Sequence, residues 1–153
     1  VSGFVKTSGP LAAVFAVTQQ PPLPFLTFLF LWLFFWEIGG QNIPNDLTDV
    51  DADRRLQAKT IPIRFGVRTS IRMIVLSLCL CMVFSAALFF LLPETTGWIY
   101  PAGLVLAGIY FLLLPAVDLL KTRSTEKAFA LFNRASYYPL ALLTILAISF
   151  LIR

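Results

Sequence analysis

The sequence contains no histidine. That removes the usual general base near neutral pH and the commonest nitrogen ligand of zinc. Charge is scarce: 13% of residues are Asp, Glu, Lys or Arg, against about 25% in a soluble domain, so composition alone makes this a membrane protein. Cysteine is limited to Cys79 and Cys81, two apart in an apolar run. They project to nearly opposite sides of a helix and read as small bilayer-phase residues, not as a disulfide or metal pair. There is no cleavable signal, no low-complexity linker and no repeat. The chain opens with Val partway into an apolar segment, which reads as a truncation.

Apolar residues make up 58% of the chain, fifteen of them Phe. Five helical spans are expected, over about 9–18, 24–43, 73–92, 96–117 and 135–152. The last three have the roughly 20-residue length that a bilayer requires. The first is short and is stopped by Gln19-Gln20-Pro21-Pro22. Lys and Arg alternate between the connections. Residues 46–72 hold Arg54, Arg55, Lys59, Arg64, Arg68 and Arg72, and 121–134 hold Lys121, Arg123, Lys127 and Arg134. The connections 19–23 and 93–97 hold none, and only Arg153 falls on their side. The positive-inside rule therefore puts both basic segments in the cytoplasm. The net charge of +4 is accounted for by topology, and no nucleic acid is called for. Ser124 can cap a short helix over 125–132 that lies on the membrane surface or covers a site.

Four of the eight acidic residues fall within 45–53, directly after an apolar run. On a continuous helix Asp46, Asp49 and Asp53 share an arc of about 60°, while Asp51 points roughly opposite. Carboxylates on one stripe repel each other unless cations bridge them. Asp oxygens suit Mg²⁺, which commonly shares its coordination with substrate phosphates. Asn42 falls on the same stripe, although Pro44 disturbs the register, with Gly39 and Gly40 where its ring would press. Glu37, one turn deeper, reads as a half-buried hydrogen-bonded group. Arg54, Arg55 and Lys59 stand where a metal-held diphosphate needs further neutralisation, though topology alone also explains them.

A solvated acidic loop explains Asp51 but not the i, i+3, i+7 spacing. An EF-hand fails because Arg54 replaces the required Gly and Thr60 the closing Glu. The Asp-Gly opening of the membrane phosphatidyltransferases is absent. A non-catalytic multi-pass protein, or a transporter segment with an ion-binding acidic cluster, is the competing class. Transporters place such groups near the midplane, whereas these lie at the membrane edge.

Asn45, Asp46, Asp49 and Asp53, followed by Lys59-Thr60-Ile61-Pro62-Ile63-Arg64-Phe65-Gly66, resemble the second acidic motif of the UbiA-type intramembrane prenyltransferases. Weaker echoes are Gly9-Pro10-Leu11-Ala12 and Phe132-Asn133-Arg134-Ala135-Ser136-Tyr137-Tyr138-Pro139. The resemblance implies an all-α membrane protein whose roughly five spans are the C-terminal part of a nine-helix bundle. Residues 1–153 are then part of one transmembrane domain whose N-terminal helices, bearing the first acidic motif, are missing. It implies Mg²⁺-dependent transfer of an isoprenyl group from a polyprenyl diphosphate to an acceptor, usually aromatic. It implies Asp46, Asp49 and Asp53 as metal ligands, with Asp49, Asp53 and Lys59 catalytic. Lys59, Arg54 and Asn42 face the diphosphate, and Tyr137 and Tyr138 offer ring π-density to an allylic cation. An interfacial aromatic belt explains at least one of those tyrosines equally well. Asn133 and Arg134 are weaker polar candidates, and Asp118 ends a helix near the interface. The expected location is a bacterial or archaeal plasma membrane, with the motif facing the cytoplasm. The chain alone, with one motif of two, is expected to be inactive.

Overall fold

The computed structural model describes residues 2–18, 20–91 and 97–152, the side chains of 2–6 excepted. Gln19, residues 92–96 and Arg153, on which the sequence-based connections partly rest, lie outside the described residues. Every regular element among the described residues is helical. α1 is Ser2–Val17, α2 Leu23–Trp36, α3 Ile43–Thr48, α4 Val50–Arg55, α5 Ile61–Phe65 and α6 Val67–Leu91. α7 is Ile99–Gly108, α8 Leu114–Thr122, α9 Thr125–Ser136 and α10 Tyr138–Leu151.

Four helical runs are long and apolar enough to cross a membrane: Leu23–Thr48, Val67–Leu91, Ile99–Thr122 and Thr125–Leu151. The short first span expected over 9–18 is α1, whose apolar stretch among the residues with described side chains is Thr7–Val17. Boundaries move: the span expected over 24–43 continues to Thr48, that over 73–92 begins at Val67, and that over 96–117 continues to Thr122. The helix expected after Ser124 is α9, which leads through Tyr137 into α10 as one run, Thr125–Leu151. Ser124 caps that run by accepting from the Lys127 N–H at 3.3 Å. Pro139 sits in the first turn of α10, where a missing N–H is harmless, and only Tyr137 interrupts the run.

Two of the long runs carry a π turn, Glu37–Asn42 between α2 and α3 and Ile109–Leu113 between α7 and α8. Each ends two residues before a proline, Pro44 and Pro115. A proline ring collides with the carbonyl four residues back in an α-helix. The wider turn, an extra residue inserted into the helix, precedes that collision in both places. The chain runs helically through Pro44.

The core lies where α3, α6, α8 and α9 meet. Ile43, Ile71, Ile74, Leu78, Leu112, Leu119, Leu131 and Tyr138 are at most 1% exposed. α2 packs along α6 through a smaller cluster of Leu29, Leu33 and Leu88. Gly39 and Gly40 allow the close approach. A Cβ on Gly39 would stand 2.8 Å from Ser77 Cβ on α6, and one on Gly40 2.9 Å from Ala135 Cβ on α9. Small residues at such crossings are how membrane helices pack without a hydrophobic driving force between them. Large apolar side chains such as Leu76, Val83, Phe90, Leu106 and Leu143 remain outside, as lipid-facing residues do.

Candidate active site

The acidic motif is held by the run from α2 to α3, which is stitched to α9. The Trp36 indole Nε1 donates to the Ala135 carbonyl at 2.8 Å. Buried Gln41 donates through Nε2 to Ser136 Oγ at 3.1 Å and more weakly to the Phe132 carbonyl at 3.4 Å. Gln41 was not among the sequence candidates. A Gln five residues past the apolar stretch that ends at Trp36 was the available signal, because a polar amide in such a run needs a partner. Glu37, expected to be half-buried, is fully buried in the same π turn, and Asn42 is half-buried at its end.

Helix does not continue evenly from Asp46 to Asp53. Asp49 leaves helical geometry at φ −107°, ψ 10°, and separates α3 from α4. The Thr48 hydroxyl donates to the Asn45 carbonyl at 2.7 Å, a local side-chain bond that competes for the acceptor an unbroken helix offers to Asp49. The single stripe expected from ideal helical geometry is therefore broken at its middle member. Asp46, before the break, is half-buried at the end of α3. Asp46 also accepts from the Ile61 backbone N–H. That bond satisfies a free donor at the start of α5, where Thr60 provides no side-chain cap.

The segment between folds back to make this possible. α4 closes with Gln57 in the left-handed region at φ 53°, and the Ala58 N–H donates to the Asp53 carbonyl at 2.9 Å. Lys59 and Thr60 follow at once. The motif thus forms a closed unit, α3–α4–α5, with Asp46 as its internal tie. Asp49, Arg54 and Lys59 are exposed and Asp53 is half-buried. Asp51 instead lines a separate cavity of about 150 Å³ with Leu47, Arg123, Ser124 and Thr125. Residues from both basic connections meet there, so the two lie at the same end of the bundle.

The tyrosine pair is split. Tyr138 is fully buried, its hydroxyl 3.0 Å from Ser85 Oγ. Tyr137 is 60% exposed and borders an apolar groove of about 620 Å³ between α7 and α10. Asn133 and Arg134 are exposed, and the Arg134 guanidinium lies 5.3 Å over the Tyr110 ring. Asp118 is exposed in the penultimate turn of α8.

Among the described residues no three Asp, Glu, Cys or His side chains are drawn together closely enough to form a metal cage by themselves. The donor chemistry still fits Mg²⁺, which is usually held by one or two carboxylates together with substrate phosphates. Asp46, Asp49 and Asp53 are hard oxygen donors on one short segment.

No curated protein and no solved structure matches the chain. The model of the UbiA prenyltransferase family matches residues 1–151, and with four helices fit to cross a membrane and the acidic unit at one end of them, the chain belongs to that family.

Proposed function

We propose that this chain takes part in Mg²⁺-dependent transfer of an isoprenyl group from a polyprenyl diphosphate to an acceptor, aromatic in kind, within the membrane. One observation supports the reading above the others: the unit α3–α4–α5 folds back so that Asp46, Asp49 and Asp53 and the turn carrying Lys59 share one short segment at the end of the bundle. Carboxylates gathered on one segment are stabilised by cations. Asp49 and Asp53 would hold Mg²⁺, with Asp46 contributing to its binding while bracing α5. When bound, Mg²⁺ neutralises the diphosphate and stabilises it as a leaving group.

Lys59 and Arg54, exposed on either side of the Gln57 turn, bind the diphosphate oxygens and hold the charge that develops on them. Asn42 offers its amide from the end of the π turn. Tyr137 is the tyrosine still accessible to an allylic cation, whereas Tyr138 serves the core. We further propose that a second acidic motif on other helices completes the site, and that the motif described here faces the cytoplasm of a bacterial or archaeal cell.

The test is prenyl-diphosphate consumption in membranes containing the complete gene product, with a mixture of aromatic acceptors. Turnover that stops on chelation and returns with Mg²⁺ is expected. Turnover indifferent to chelation overturns the metal assignment, and vigorous turnover by residues 1–153 alone overturns the two-motif requirement. Cysteines placed at Gln57 and Thr125 should both label from the cytoplasmic side. Labelling from the other side refutes the orientation.

A further inference from the structure

Three arginines that the proposed reaction does not use meet at one small cavity, which adjoins through Ile71 and Arg123 the cavity that Asp51 lines. Arg68 and Arg72 stand one turn apart at the start of α6, and Arg123 follows α8. With Ile71 and Leu120 they line a cavity of about 150 Å³. All three are exposed, and among the described residues none forms an ion pair. The positive-inside signal needs cations at this end of the bundle, but not cations gathered from two helices onto one cavity, where they repel each other. Arg123 also holds a left-handed backbone at φ 53°, a conformation usually left to Gly or Asn at a helix end.

The surface that runs from these arginines towards the bilayer centre is apolar. Below Arg72 on α6, at helical spacing, come Leu76 and Val83, 62% and 60% exposed. Below Arg123 on α8 come Leu120, Val117 and Leu114, 44%, 43% and 50% exposed. Guanidinium groups match phosphate oxygens by paired hydrogen bonds, and a cationic cage above an apolar lane complements a molecule with an anionic head and apolar chains. We propose that Arg68, Arg72 and Arg123 bind the phosphate head of an anionic phospholipid from the leaflet at this end of the bundle, with its acyl chains lying along α6 and α8.

The test is native mass spectrometry of the purified 153-residue chain in detergent, titrated with phosphatidylglycerol and, separately, with phosphatidylcholine of identical chains. The wild type should bind one phosphatidylglycerol roughly tenfold or more tighter than phosphatidylcholine. Arg68→Gln with Arg123→Gln should abolish that preference. Arg64→Gln with Lys127→Gln removes the same charge away from the cavity and should keep it. Equal loss in both pairs means a diffuse field and overturns the site. So does a wild type that does not discriminate between the lipids, a result that stands even if the double variant does not fold. Displacement of phosphatidylglycerol by an equal concentration of inorganic phosphate assigns the arginines to free phosphate and overturns the lipid.

Discussion

The runs α2–α3 and α7–α8 are built on one plan and do different things. Each is an α-helix widened by a π turn that ends two residues before a proline, and each delivers charged residues to the same end of the bundle. In α2–α3 the turn is Glu37-Ile-Gly-Gly-Gln-Asn42, with Glu37, Gly39, Gly40 and Gln41 buried. In α7–α8 it is Ile109-Tyr-Phe-Leu-Leu113, with Leu112 buried and Tyr110 outside. The first turn spends its extra residue on polar ties and close backbone approach, so it fixes the helix end that carries Asp46. The second packs by apolar contact and leaves its end to Asp118 and Arg123. A π turn is therefore not itself a site; what it holds depends on which side chains it turns inward.

The widest difference between the two ends should appear in catalysis. Asp49→Ala or Asp53→Ala should lower prenyl transfer by the complete gene product at least about a hundredfold, as loss of a transition-state electrostatic contact does. Asp118→Ala, at the end of the other run, should stay within about twofold, and Asp51→Ala, turned into its own cavity, should be mild. Steady-state turnover at saturating Mg²⁺ checks this. Near-wild-type activity of Asp53→Ala would remove the functional side of the comparison.

Packing should separate the runs next. Gly39→Ala pushes a Cβ to 2.8 Å from Ser77 Cβ and 3.0 Å from the Ile74 carbonyl, neither of which moves easily. A cost of about 1–3 kcal/mol is expected. Gly108→Ala, beside the second π turn, meets the end of the Met82 side chain at 2.6 Å. That side chain swings aside, so the cost should be well under about 1 kcal/mol. Denaturant unfolding in detergent measures both, and equal costs would show that the two turns are packed alike.

The polar ties should give a smaller contrast. Gln41→Leu loses its bonds to α9 and should cost about 1 kcal/mol, in the range of interhelical hydrogen bonds in membranes. Tyr110→Leu removes an exposed cation–π contact to Arg134, and about 0.5 kcal/mol or less is expected. The same unfolding assay orders the two. A larger loss from Tyr110 would reverse which π turn anchors α9.

Much of the fold was legible because bilayer spans are set by apolar length, a property of local sequence. The apolar stretches 24–43 and 73–91, each inside a longer observed helix, and the gathering of both basic connections at one end follow from that. The short first span is α1, and the helix expected after Ser124 is α9. The π turns left no trace in hydropathy, since one added residue changes no composition. Of the site, the spacing from Asn45 to Gly66 was visible, but the break at Asp49 was not, because ideal helical geometry ignores the local pull of Thr48.

By itself the sequence determined that this chain lives in a membrane, that its charged connections share one side, and that its oxygen donors cluster beside cations. Those properties depend only on the order of residues along the chain. The tertiary structure decided which of Tyr137 and Tyr138 is buried, that Asp46 braces α5 through the Ile61 N–H, that Gly39 and Gly40 serve helix approach, and that Arg68, Arg72 and Arg123 share a cavity. Each of these depends on how one helix is rotated against another. Rotation is set by the sum of many small packing contacts across the bundle, and no short stretch of sequence contains that sum.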